Sequence, residues 1–139
     1  MSNDTVEFSL QSLLQSTPGK IKALIIEDET DIRYLVSNIL KQRGVQSILA
    51  GTLSEAEKIF QQDLLPPSII FLDNHLPDGF GVNFIEEIKK IHPDVKVVMI
   101  TAHDTSMDRD KAFFRGVDHF IGKPFTRETI LKTLEILIN

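Results

Sequence analysis

The chain has 139 residues, enough for one domain with a substantial core and too few for two compact ones. Its formal charge of -5, from 20 acidic and 15 basic residues, argues against a nucleic-acid-binding surface, which needs a basic stripe. The absence of cysteine excludes disulfides and thiolate metal sites and fits a reducing compartment. No apolar run reaches the roughly 18 residues of a membrane span, and no basic stretch precedes an apolar one at the N-terminus as in a secretory signal. The expectation is a cytoplasmic protein that engages neither nucleic acid nor membrane.

Residues 1–19 are polar, with Val6, Leu10, Leu13 and Leu14 at helical spacing and a break at Ser16-Thr17-Pro18-Gly19. They form an extension that is either a tail or a short amphipathic helix; the domain proper is 20–139. Ile21–Ile26 is an apolar strand running into Glu27-Asp28-Glu29. Thr30–Arg43 places Ile32, Leu35, Val36, Ile39 and Leu40 on one helical face, and Gly44 ends it. Val45–Ala50 is a second strand and Leu53–Gln62 a helix with Ala56, Ile59 and Phe60. After Pro66-Pro67, Ile69-Ile70-Phe71-Leu72 runs straight into Asp73 without polar alternation, the pattern of a strand buried on both faces. Phe80–Ile91 is a helix with Phe84, Ile85 and Ile88 inward, closed by His92-Pro93. Val95–Ile100 is the fourth strand, ending at Thr101. Thr105–Arg115 is a helix stopped by Gly116, Val117–Ile121 is the fifth strand, and Thr126 caps a last helix to Ile138. His119 is expected to be exposed.

Strand and helix alternate five times with short connections. That predicts an α/β fold: a single doubly wound (βα)5 domain, with a five-stranded parallel sheet of order 2-1-3-4-5 and right-handed crossovers. Ligands in such sheets bind at the carboxyl ends of the strands. Those ends carry Glu27 and Asp28, then Asp73, then Thr101 before the small Ala102, then Lys123 before Pro124. Converging carboxylates repel unless a cation joins them, and an all-oxygen ligand set suits Mg²⁺. A lysine and a hydroxyl beside that metal suit a phosphoryl group, and a carboxylate can attack phosphorus to give an aspartyl phosphate. Taken singly, each residue has a plainer role: Asp28 or Thr30 as a helix cap, Thr101 as a strand end, Lys123 as a solvated turn, Phe120 as core.

Together the motifs resemble the receiver domain of the response regulators of two-component signalling, over about residues 21–138. They are Ile25-Ile26-Glu27-Asp28-Glu29; Leu72-Asp73 with Pro77 and Gly81 at +4 and +8; Thr101-Ala102; and Phe120-Ile121-Gly122-Lys123-Pro124-Phe125. The resemblance implies a flavodoxin-like fold, Asp73 as phospho-acceptor and Lys123 and Thr101 as its partners. Thr101 and Phe120 would form the switch. Mg²⁺ would be held by Glu27, Asp28, Asp73 and the backbone carbonyl of His75. Backbone groups of Asn74 and Ala102, with Thr101 and Lys123, would bind the phosphoryl group. It implies a histidine kinase or histidine phosphotransfer protein as donor and a protein target on the face of the fourth helix, fifth strand and fifth helix. A homodimer is left open. The domain would be no dedicated enzyme, catalysing only its own phosphorylation and dephosphorylation. Glu27 departs from the Asp more usual in the family, and residues 1–19 have no place in its pattern.

His75 and His103 lie two residues past Asp73 and Thr101, on loops after adjacent strands. They are either exposed loop histidines or a pair at the rim of the site that positions or obstructs hydrolytic water. Two alternatives to a free-standing receiver remain at this point: a receiver belonging to a larger regulator or hybrid kinase, and a Mg²⁺-dependent phosphatase with Asp73 as nucleophile.

Overall fold

Hydrogen bonding and side-chain alternation assemble five short strands into one sheet. They are β1 (Lys22–Ile26), β2 (Gln46–Ala50), β3 (Ile69–Leu72), β4 (Lys96–Thr101) and β5 (His119–Gly122). In this computed structural model, which describes residues 21–62 and 66–138, all neighbouring pairs are parallel and the order is β2-β1-β3-β4-β5. The helices between and after them are α1 (Thr30–Lys41), α2 (Leu53–Gln62), α3 (Val82–Ile91), α4 (Ser106–Phe114) and α5 (Arg127–Ile138). The fold is the one predicted from the strand-helix alternation. The helical stripe at Val6, Leu10, Leu13 and Leu14 lies outside the described residues. No described helix is long and apolar enough to cross a membrane.

Period-two alternation divides the core. Leu24, Ile26, Ile70, Leu72, Val97 and Met99 face one layer, with Ala56 and Phe60 of α2, Ile85 and Ile88 of α3 and Ala112 of α4. Ala23, Ile25, Ile69, Phe71, Val98 and Ile100 face the other, with Val36, Ile39 and Leu40 of α1 and Ile130 and Leu134 of α5. Each fully buried Leu, Ile or Phe contributes about 1.5–3 kcal/mol, which is why the central strands carry almost no polar residue. Leu35, expected on the inner face of α1, is exposed; it sits at the edge of the stripe that Val36, Ile39 and Leu40 bury.

Several boundaries differ from the sequence reading. β2 starts at Gln46 and β5 at His119 because the preceding valines are still bonded to helices: Val45 N donates to Leu40 O at 3.1 Å, and Val117 N to Ala112 O at 3.1 Å. Arg43 leaves α1 because its N–H bonds Leu40 O, a tighter turn than the helix. Phe80 does not open α3. It pairs with His75 in a short antiparallel hairpin, His75–Leu76 with Gly79–Phe80, and α3 starts at Val82. Pro77-Asp78 turns this hairpin, and Gly79 follows at φ 153°, a value that L side chains rarely adopt. Gly81 then passes so close to β3 that a Cβ there would lie 2.5 Å from the Asp73 carbonyl oxygen. His119 is half-buried rather than exposed, since β5 pairs along β4 and leaves only one edge open.

The hairpin also reaches α2. Asp78 accepts hydrogen bonds from Leu53 N and Ser54 N, both at 2.9 Å, and so caps a helix 25 residues away in sequence. Those two bonds, with a smaller one from its own N–H, hold its carboxyl below the usual range. A depressed carboxylate stabilises the fold above its unfolded pKa, and the contribution fades as pH falls through the folded one. Asp78→Ala should therefore melt at a lower temperature than the wild type at neutral pH, with the gap closing in strong acid. Thermal melts of the two proteins across that range check it.

Candidate phosphoryl-acceptor site

The parallel ladder does not stop at the last strand residues. Glu27 N donates to Ala50 O at 2.9 Å, Asp73 N to Ile26 O at 2.9 Å, and Lys123 N to Thr101 O at 2.8 Å. The backbones of three candidate site residues are thus fixed by the sheet, one step beyond strands whose apolar faces set the register. The Lys123-Pro124 peptide bond is cis.

The side chains converge. Lys123 Nζ lies 2.7 Å from Glu27 Oε1, 3.4 Å from Glu29 Oε1 and 3.5 Å from Asp73 Oδ2. Glu27 and Asp73 are buried, at 3% and 6% exposure. Glu27 Oε2 accepts from Glu29 N at 3.2 Å, and the Glu27 carbonyl accepts from Arg33 at 3.0 Å. Thr101 is buried, and its Oγ1 accepts from His103 N at 3.2 Å. Asn74 fastens the loop from behind: its Oδ1 accepts from Val82 N at 3.0 Å, at the start of α3, and its carbonyl accepts from Gly81 N at 2.8 Å. Ala102 is exposed on the loop after β4.

Among the described residues, the acids whose carboxylate oxygens lie within 4.8 Å of one another are Glu27, Glu29 and Asp73. Asp28, expected as the direct metal ligand, is exposed and outside that group. The chain bends at Asp28, and Glu29, with φ -77° and ψ 111°, brings its carboxylate close to that of Glu27. The sequence reading passed over Glu29, although the i, i+2 spacing from Glu27 was visible in the acidic run.

Burial drives the Glu27 carboxyl up to about 7; the Lys123 hydrogen bond opposes this, the Asp73 charge adds to it, and the Glu29 N–H opposes it again. For Lys123, burial alone would lower the pKa, but the Glu27 hydrogen bond and the fields of Asp73, Glu27 and Glu29 outweigh burial and leave it raised. The ammonium therefore stays charged throughout, and Glu27 is the acid that holds a proton near neutrality. Three acids facing one lysine are short of positive charge.

Phe120 is already buried, with the Arg109 guanidinium of α4 5.4 Å over its ring. Beside the acids, the His75 and His103 rings stand 3.8 Å apart, centroid to centroid.

A buried aspartate at the carboxyl edge of a parallel sheet, approached by a lysine and flanked by acids, is the arrangement of a receiver. Comparison with known proteins agrees: residues 23–135 match the family model described as the response regulator receiver domain, and the chain belongs to that family. It is 32% identical over 119 residues to the phosphate regulon transcriptional regulatory protein PhoB of Escherichia coli, covering 84% of this chain and 51% of that protein. The chain spans about half the length of several curated relatives it matches. Among solved structures, the beryllofluoride-activated NtrC4 receiver domain dimer is 39% identical with a TM-score of 0.77, over 84% of this chain and 94% of that one. The non-phosphorylated HemR receiver domain of Leptospira biflexa is 31% identical with a TM-score of 0.78, over 86% and 95%.

Proposed function

We propose that this domain is a phosphorylation-controlled switch in two-component signalling, with Asp73 as the residue that takes the phosphoryl group. The observation that carries the reading is the buried Asp73 carboxylate 3.5 Å from Lys123 Nζ at the edge where Glu27 and Glu29 also meet. The donor is a phosphohistidine on a kinase or phosphotransfer protein. The Asp73 oxygen forms a bond to phosphorus as the phosphorus–nitrogen bond of the donor breaks, and the departing imidazole keeps the electron pair and takes a proton. Lys123 supplies positive charge to the transferring oxygens and Thr101 a hydroxyl.

The acids fit a divalent cation, because the lysine alone leaves them with surplus negative charge and the Glu27 carboxyl raised to about 7. Mg²⁺, bound by Glu27 and Asp73 with Glu29 or Asp28 and the His75 carbonyl, would neutralise charge on the phosphoryl group. Once Asp73 is phosphorylated, Thr101 moves toward the new group. The output surface is the face of α4, β5 and α5, where Met107, Phe113 and Phe114 of α4 and Ile136 of α5 are exposed. A target must bind the phosphorylated form more tightly for a signal to pass. The NtrC4 receiver domain forms a dimer in its activated state, and self-association through this face is one form the output can take. The step at Asp73 is the same whether the receiver acts alone or within a longer regulator, and both settings are cytoplasmic.

Acetyl phosphate with Mg²⁺ tests the reading. The expected product carries one acid-labile phosphoryl group that maps to Asp73. Labelling elsewhere would overturn it, and sustained turnover of a small phosphomonoester would favour the phosphatase alternative.

Metal linkage gives a second check. A carboxyl raised in the fold costs stability as pH rises from its ordinary 4.5 through about 7. Over that window the metal-free protein should lose stability to ionisation of Glu27. Mg²⁺ binds the ionised form, so the rise in Tm on adding Mg²⁺ should grow from about pH 5 to pH 8. Equal Mg²⁺ shifts at both ends would place the cation away from Glu27.

A further inference from the structure

Two imidazoles stand side by side at the rim of the acidic site, and neither belongs to the constellation that handles phosphate. His75 extends from the hairpin after β3, where it pairs with Phe80 and makes a T-shaped ring contact with it at 5.3 Å and 81°. His103 extends from the loop after β4, whose backbone is tied to Thr101 Oγ1. Their rings lie 3.8 Å apart and are tilted by 37°. Both residues are exposed, and neither imidazole hydrogen-bonds to a described residue, so among the described residues nothing competes with a ligand for their nitrogens.

We propose that His75 and His103 chelate a borderline first-row transition metal, Cu²⁺ or Ni²⁺, at a site separate from the carboxylate cluster. Imidazole nitrogen is the ligand these ions prefer, whereas Mg²⁺ prefers oxygen. Geometry selects among them. With metal–nitrogen bonds of about 2.0–2.1 Å, two imidazoles at a right angle place their ring centroids about 4.5 Å apart, and a tetrahedral angle places them about 5.2 Å apart. From 3.8 Å the right angle needs the smaller movement, within reach of exposed side chains on fixed loops. Square-planar and tetragonal ions, Cu²⁺ and Ni²⁺, use that angle, while Zn²⁺ uses the wider one. The surplus negative charge of Glu27, Glu29 and Asp73 attracts any cation toward this edge of the sheet. Water completes the coordination. The two loops are held by the hairpin and by Thr101, so little ordering is required when the metal binds.

The test is a Cu²⁺ titration of the full chain at neutral pH with Mg²⁺ in large excess, followed by electron paramagnetic resonance. The expected spectrum shows two equatorial imidazole nitrogens at one equivalent. His75→Ala and His103→Ala should each weaken binding by at least tenfold and remove one nitrogen from the spectrum. His92→Ala, on the far side of the domain against Phe60, should change neither readout. A wild-type spectrum with fewer than two imidazole nitrogens overturns the proposal without recourse to any variant. So does equal affinity in wild type and the His75→Ala/His103→Ala double variant. None of these readouts depends on phosphorylation, so they stand or fall apart from the role of Asp73.

Discussion

Asp73→Asn should abolish phosphorylation by acetyl phosphate while leaving the fold at least as stable as before. The amide has the shape of the carboxylate and lacks its nucleophilic oxygen, so incorporation should fall to background rather than slow. Stability should move the other way from most substitutions at a buried position. The Asp73 charge is one of the causes that raise Glu27; removing it relieves the repulsion and lets Glu27 ionise against Lys123 at lower pH. The Asp73 backbone bond to Ile26 O belongs to the sheet and survives the change. Labelling and melting temperature measured on the same preparation separate the two effects. A variant that still takes one acid-labile phosphoryl group would move the acceptor elsewhere. A variant that unfolds would show that Asp73 holds the loop rather than reacts.

The sheet was legible because burial leaves a simple mark. Ile69–Leu72 has no polar residue to face solvent, and the run stops at Asp73, so both the strand and its functional end could be read from five letters. The positions of Glu27, Asp73 and Lys123 followed from strand order alone, since each is the first polar residue past an apolar strand. Adjacency of His75 and His103 followed in the same way, from β3 and β4 being neighbours. What stayed hidden depends on backbone direction and on bonds between distant segments. That Glu29 joins Glu27 and Asp73 beside Lys123 depends on how the backbone turns after β1, which the acidic run does not reveal. The hairpin that takes Phe80 out of α3 needs the turn at Pro77-Asp78 and the φ of 153° at Gly79 that follows it. The cap that Asp78 places on α2 joins segments 25 residues apart, and no local pattern announces it. Val45 and Val117 read as strand residues by propensity, yet their N–H groups close the preceding helices.

Lys123→Met should have the other large effect, and its parts differ in sign. The substitution keeps an apolar stem and removes the cation that three acids share. Breaking a buried ion pair generally costs about 3–5 kcal/mol. The cost here should be nearer the 1.5–3 kcal/mol of a hydrogen bond to a charged group, because Glu27 can take up a proton instead of remaining an unpaired buried charge. Glu27 already sits at about 7 with the lysine present, and losing the Lys123 hydrogen bond pushes it further up. The stability gap between wild type and variant should therefore be small in acid, where Glu27 is protonated in both, and widen as pH passes 7. Mg²⁺ should stabilise the variant more than the wild type, since the metal becomes the counter-charge that the lysine had been. Phosphorylation should nonetheless slow by a factor on the order of 10², because Mg²⁺ replaces the charge on the acids and not the hydrogen bond to the transferring oxygens. Melting curves with and without Mg²⁺ at two pH values, together with labelling rates, resolve all three parts. A variant that melts like wild type and labels at the wild-type rate would reduce Lys123 to a solvated turn residue before a proline.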